Sequence, residues 1–183
     1  MEQHKVKVLE TSLLTHNVRR IKTEKPAGYS FTPGQATEVA INSKEWKDAR
    51  RPFTFTSLNE WPHLEFVIKV YDAHGGVTQQ VGRLKPGDEL LIHDVWGAIS
   101  YKGPGVFIAA GAGITPFIAI LRDLHKMNAL AGNSLIFSNR TYGDIILRKE
   151  FEKMLGNEFL NVLTREKAAG LIGQRITRDF LKK

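Results

Sequence analysis

Gly111-Ala112-Gly113-Ile114-Thr115-Pro116 follows the apolar run Val106-Phe107-Ile108-Ala109-Ala110 and precedes Phe117-Ile118-Ala119-Ile120-Leu121-Arg122-Asp123-Leu124. The run before it has the character of a buried parallel strand, and the apolar spacing after it that of a helix. The glycines therefore fall in a strand-to-helix turn. Glycine lets backbone N–H groups come close to a ligand, and a helix N-terminus carries a partial positive charge. Pro116 fits the first helical turn, where a missing N–H costs nothing. Such a turn suits a pyrophosphate. Two glycines and a proline also occur in turns that bind nothing, so the rest of the chain has to decide.

Downstream, strand and helix patterns alternate. The helix after the turn runs over 115–128. Ser134 to Ser138 reads as a strand, Leu147 to Leu155 as a helix, Glu158 to Thr164 as a strand and Thr177 to Lys183 as a last helix. This βαβαβ order predicts a parallel sheet with helices on its faces. Met127 and Met154 fall on the helical patterns and read as core.

Upstream the pattern is different. Lys5 to Glu10 alternates, and His16 to Thr23 reads as a second strand. Phe31-Thr32-Pro33-Gly34-Gln35 is a turn, followed by a strand to Ile41. Arg51 to Ser57 has strand composition with Pro52 near its start, which places it at an edge or opening. Leu64 to Val70 is a strong strand, Val77 to Arg83 a short helix, and Glu89 to His93 a sixth strand. Six short strands with turns between them predict a small antiparallel β-barrel. The boundary falls near Ser100 to Pro104, giving domains at 1–100 and 104–183.

The chain has 183 residues, enough for one large or two small domains, with 42% hydrophobic and 25% charged residues. No apolar run is long enough to span a membrane. The N-terminus is polar and alternating, unlike a signal peptide. Zero cysteines exclude disulfides, thiolate metal sites and a cysteine nucleophile. A cytoplasmic location is expected. Six dispersed histidines show no ligand spacing, so no metal site is expected. The net charge of +7 fits an acidic partner. The basic residues are scattered rather than clustered, which argues against nucleic acid.

Two further motifs carry chemistry. In Arg51-Pro52-Phe53-Thr54 the guanidinium can fork onto a phosphate. Phe53, two residues on along an extended strand, offers a flat face on the same side, and Thr54 adds a hydroxyl donor. In His74-Gly75-Gly76-Val77-Thr78 the glycines permit close backbone approach, and Thr78 adds a hydroxyl at a helix start. Taken singly, the first is also compatible with an ordinary edge strand and the second with a capped glycine turn.

The order of the motifs along the chain resembles the ferredoxin–NADP reductase family, and within it the bacterial flavodoxin/ferredoxin–NAD(P)H reductase type. The turns at Phe31 to Gln35 and Leu84 to Asp88 resemble that family's barrel turns, and the likeness covers essentially the whole chain. The resemblance implies an FAD-binding barrel, FAD being preferred to FMN on family grounds, and an NAD(P)-binding α/β domain. It implies that Arg51, with Pro52 beside it, binds the flavin pyrophosphate, that Phe53 stacks on the ring, and that Thr54 lies near flavin N5. Ile68, Lys69 and Val70 line the flavin with backbone groups, and Gly76, Val77 and Thr78 hold its pyrophosphate. Gly111, Gly113 and Pro116 receive the dinucleotide, with Thr115 near the flavin ring. Thr54 and Thr115 are thus the candidate catalytic residues.

Arg140 and Arg165 end adjacent strands, and with Arg175 they match positions where NADP-using relatives hold the 2′-phosphate. NADP(H) is therefore expected over NAD(H). The family continues past a point like Lys183 with a last strand and helix. The resemblance therefore implies a chain shortened at its C-terminus, and it bears more on flavin binding than on hydride transfer. The implied function is a flavin-dependent oxidoreductase passing electrons from NAD(P)H through FAD to a small acidic carrier such as flavodoxin or ferredoxin. Two alternatives stay open: a flavin- or partner-binding module without turnover, and the reductase component of an oxygenase.

Overall fold

Period-two alternation builds the first half of the chain. In β1 (Gln3–Thr15), Val6 and Val8 are buried while Lys5, Lys7 and Leu9 face solvent. The computed structural model describes residues 2–71, 75–167, 171–173 and 175–182. It divides the chain into two units, Met1–Tyr101 with Thr115–Asp123, and Lys102–Ile114 with Leu124–Lys183.

The first unit holds an antiparallel sheet of β1, β2 (Val18–Glu24), β3 (Ala36–Ile41), β4 (Arg51–Thr54), β5 (His63–Lys69) and β6 (Glu89–Trp96). Their order across the sheet is β4-β3-β6-β1-β2-β5. β1 extends past the predicted strand at both ends because it serves two partners. Gln3 to Lys7 pair with β6, and Val8 to Thr15 with β2. Next to the strands at the two ends of the order, β4 and β5, Phe55 and Phe66 form an antiparallel bridge. On β4, Pro52 lies opposite Glu38 of β3, at the end of the strand order, the position its missing N–H demands.

Aromatic rings fill the space behind that bridge. Phe55 is fully buried, stacks on Phe31 at 4.2 Å between centroids and lies 5.4 Å from Phe66. Ile21, Leu64, Leu90 and Ile92 complete the same core. The short α1 (Val77–Val81) adds Val77 and Val81 to it. The turn before β3 needs glycine: Gly34 has φ +102°, and a Cβ there would stand 2.6 Å from the Ile99 carbonyl oxygen.

The 3₁₀ turn Gly111–Ile114 leads into α2 (Thr115–Lys126), where Pro116 occupies the first turn as expected. Ile118, Ala119, Ile120, Leu121 and Arg122 are buried in succession. The helix stops at Lys126, short of the predicted 128, because Asn128 takes a left-handed conformation with φ 55°. Met127 therefore lies beyond the helix and is 57% exposed, not in the core.

The second unit holds parallel strands β7 (Val106–Ala110), β8 (Ser134–Asn139) and β9 (Phe159–Leu163), in that order. α3 (Arg148–Leu155) covers one face, with Phe151 between Phe137 and Phe159. The opposite face carries Val106, Ile108, Ile136 and Leu160 in register, and with Ile172 and Phe180 they line an open apolar hollow. Val106 and Ile108 are 57% and 44% exposed.

Two features depart from the sequence reading. Ile172 makes a parallel bridge with Val162, an addition to the sheet one residue long. The helix expected over Thr177 to Lys183 is a set of turns in its described residues. A single bond, from the Leu181 N–H to the Thr177 carbonyl, spans four residues there. One turn cannot recover the entropy of helix nucleation.

Candidate functional site

The Phe55–Phe66 bridge is where the first group of site residues assembles. From it the chain runs back through Thr54 and Phe53 to Arg51 on one side and forward through Ile68 to Val70 on the other. The pairing is antiparallel, so these two stretches leave the bridge in the same direction, and no ladder joins them among the described residues. An opening results between the facing edges of these stretches, which stay paired on their other sides to β3 and β2.

Arg51 and Pro52 are exposed, whereas Phe53 and Thr54 are half-buried. Phe53 leans partly on the aromatic core and keeps part of its ring accessible. The Arg51 guanidinium donates to the neighbouring Arg50 carbonyl at 2.7 Å, while Arg50 itself pairs with Glu38 at 3.6 Å. On the opposite rim Ile68 and Val70 are buried, and the Lys69 ammonium lies over the Tyr71 ring at 5.8 Å.

α1 stands next to this rim. A Cβ on Gly82, just past the helix, would come within 3.0 Å of the Val70 side chain. The helix begins after Gly76, which is extended and brings no side-chain cap to the first turn. The N–H groups of Val77 and Thr78 belong to that turn, whose amides lack helical acceptors. Gly75 needs its glycine, with φ +58°. His74, named with this motif, lies outside the described residues. A guanidinium, an aromatic face, a threonine hydroxyl and uncapped amides form a donor set suited to a flavin with a pyrophosphate, so the residues present fit FAD.

The second group is in the other unit and at the start of α2. Gly111 has φ +49°, and open space surrounds the position of a Cβ at Gly113. Thr115 is half-buried and Pro116 buried. At the carboxyl ends of β8 and β9, Arg140 and Arg165 are direct neighbours, because the Arg165 N–H donates to the Arg140 carbonyl at 2.9 Å. Both side chains are exposed. The Glu166 carboxylate accepts from the Tyr142 N–H at 2.7 Å and ties the two loops together. Arg175 is exposed farther along and shares no hydrogen bond with the pair among the described residues. A glycine turn and two exposed arginines on backbone-paired strand ends fit a nicotinamide dinucleotide.

One cluster had no signal in the sequence. Arg122 on α2 and Glu65 on β5 form an ion pair at 2.6 Å, with only 8% and 2% of their side chains exposed. The same guanidinium nitrogen donates to the Thr56 carbonyl at 2.6 Å. The Thr56 hydroxyl donates to Glu65 at 2.9 Å, and the Glu65 N–H donates to the Ser57 hydroxyl at 3.1 Å. Trp61 lies 5.2 Å from the guanidinium carbon and 5.4 Å from His63. Burial first, and then the Lys22 charge, hold the His63 pKa below its ordinary value. Among the described residues, no group of three or more His, Asp or Glu is placed to hold a metal, and no helix is long and apolar enough to cross a membrane.

Comparison with known proteins agrees with this geometry. Residues 5–101 match the oxidoreductase FAD-binding domain family, and residues 107–180 match the oxidoreductase NAD-binding domain family. The chain is 30% identical over 152 residues to NADH-cytochrome b5 reductase 2 of Mycosarcoma maydis, covering 76% of this chain and 43% of that protein. It is 30% identical over 161 residues to NADH-cytochrome b5 reductase 1 of Arabidopsis thaliana, covering 82% of this chain and 57% of the relative. The chain thus spans about half the length of these curated relatives. Its fold is similar to a ferredoxin NADP+ reductase from Neisseria gonorrhoeae solved with FAD and NADP. The TM-score is 0.87 at 18% identity, over 100% of this chain and 76% of the other. On these matches, the chain belongs to the ferredoxin–NADP reductase-like family of FAD- and NAD-binding oxidoreductases.

Proposed function

We propose that this chain is the flavin- and dinucleotide-binding part of an oxidoreductase that carries electrons from NAD(P)H through FAD to a small acidic redox protein. The observation that carries the reading is the opening beyond the Phe55–Phe66 bridge, with Arg51, Phe53 and Thr54 on one rim and Ile68 to Val70 on the other. Together with that bridge, the reading takes the six-stranded sheet as a closed barrel and the domains as 1–100 and 104–183.

Bound FAD supplies the chemistry, accepting a hydride and releasing its two electrons singly. Arg51, next to Pro52, neutralises the pyrophosphate, and the amides of Gly76, Val77 and Thr78 donate to it. Phe53 would stack on the ring, the backbone of Ile68, Lys69 and Val70 would meet its polar edge, and Thr54 would donate a hydrogen bond near N5. Gly111, Gly113 and Pro116 seat the dinucleotide backbone, and Thr115 orients the nicotinamide.

Arg140 and Arg165, exposed on backbone-paired strand ends, with Arg175 nearby in sequence, support NADP(H) as the donor, since a 2′-phosphate needs more than one cation. The relatives named above are NADH-dependent by name, so both dinucleotides belong in the test. The +7 charge favours an acidic acceptor such as flavodoxin or ferredoxin.

The test is an anaerobic absorbance titration of the purified protein with FAD, followed by NADPH or NADH. A bound-flavin spectrum that bleaches at low NADPH supports the reading. A bound flavin that neither dinucleotide bleaches turns it into a flavin-binding module. Absence of bound flavin removes Arg51, Phe53 and Thr54 from any flavin site.

A further inference from the structure

The Arg122–Glu65 pair is expensive for what it gives in stability. Burying two charges costs several kcal/mol per ion before their attraction repays it, and well-packed apolar side chains of similar size commonly do as well. α2 already buries Ile118, Ala119, Ile120 and Leu121, so it does not need an ion pair to stay attached. Apolar contacts, however, are nondirectional. They hold a helix against a sheet without fixing its rotation or its height. A guanidinium that meets Glu65 at 2.6 Å and the Thr56 carbonyl at 2.6 Å, over Trp61, fixes both.

Helical geometry shows where that matters. Arg122 follows Thr115 by seven positions (122 − 115), which is about two turns at 3.6 residues per turn. Thr115 and Arg122 therefore share one face of α2. The anchored face is the face that carries the threonine assigned above to the nicotinamide. Both acceptors, Glu65 and the Thr56 carbonyl, lie at the bridge from which the flavin opening starts, since Thr56 follows Phe55 and Glu65 precedes Phe66.

We propose that the buried Arg122–Glu65 pair is a positioning device. It locks the rotation of α2 against β5, so that Thr115 is held in the orientation that hydride transfer requires. This rests on the flavin-reductase reading and adds two positioning residues that neither touch the cofactor nor hold it. Loss of the pair should slow dinucleotide-driven reduction and leave flavin retention intact.

The test compares Arg122→Met, which keeps the bulk and removes the charge, with Arg122→Lys and Glu65→Gln. In anaerobic stopped-flow reduction at saturating NADPH, Arg122→Met is expected to slow the flavin bleaching step roughly ten- to hundredfold, the scale of a small misplacement of reacting groups. FAD affinity should stay within about twofold and the dinucleotide KM within about threefold, with Arg122→Lys recovering part of the rate, because the charge and one donor remain. If Arg122→Met does not fold, Glu65→Gln, which keeps shape and one acceptor, carries the same comparison. A variant that reduces at the wild-type rate overturns the proposal, as does one whose FAD affinity falls along with the rate. Amide exchange on the flavin-free proteins gives a second arm. The pair predicts protection lost selectively over residues 115–121, and uniform loss across β2 and β5 contradicts it. A wild-type protein that binds no FAD defeats the flavin-reductase reading, and the exchange arm then decides the anchoring alone.

Discussion

Arg51 bears the most direct test of the flavin opening. Its guanidinium is exposed and donates to the Arg50 carbonyl, which leaves donors for a bound pyrophosphate. Arg51→Ala should weaken FAD binding by about 1.5–3 kcal/mol, the range for a hydrogen bond to a charged group, read as a rise in Kd by flavin fluorescence. Arg165→Ala should raise the apparent constant for NADPH far more than that for NADH, and equal effects would remove Arg165 from the 2′-phosphate site. His63 gives a pH signature. Burial, with Lys22 and Arg122 nearby, lowers its pKa from the ordinary 6.5, against the opposing pull of Glu65 and Glu10. The unfolded chain therefore binds a proton first as pH falls. Its contribution to stability is complete above 6.5 and is lost as pH drops from 6.5 toward the depressed folded value. The urea midpoint of the wild type should fall relative to that of His63→Gln as pH drops below 6.5, and the difference between them should stay constant above it.

Among the elements, the seam between β4 and β5 is the most consequential. The Phe55–Phe66 bridge and the Thr56–Glu65–Ser57 hydrogen bonds beside it hold the seam, and Phe55 packs there with no exposed surface. Phe55→Ala should cost about 3–5 kcal/mol, as for other buried aromatics, and thermal melts should show FAD stabilising the variant less than the wild type. Most of the strands could be read from the sequence because alternation leaves a mark every second residue. β7 and the start of α2 could be read because a glycine turn separates two apolar runs. The helix expected over Thr177 to Lys183 does not form in its described residues, because they gain too few bonds to offset nucleation. Ile172 gave no strand signal, since its pairing is a single bridge. The Arg122–Glu65 pair links residues 57 positions apart in sequence, and neither residue has a local pattern that announces the other. Arg140 and Arg165 were placed together by βαβ logic, and the 2.9 Å bond from the Arg165 N–H to the Arg140 carbonyl makes them neighbours.

At the scale of the whole molecule, the +7 charge should matter through long-range steering rather than through any single contact. Reduction of an acidic carrier should slow steeply between low and physiological salt, while reduction of a small neutral quinone should not. A carrier rate indifferent to salt would point to an uncharged docking face. The parallel sheet has a separate consequence. Among the described residues β7 ends its sheet; it contains neither charge nor proline and presents Val106 and Ile108 to solvent. Such an edge lacks the usual protection against pairing with a neighbour. The colloidal limit of this polypeptide should therefore be set here rather than by its net charge. Light scattering should rise with protein concentration even at low salt, and Ile108→Lys should raise the concentration at which turbidity begins while leaving the flavin spectrum unchanged.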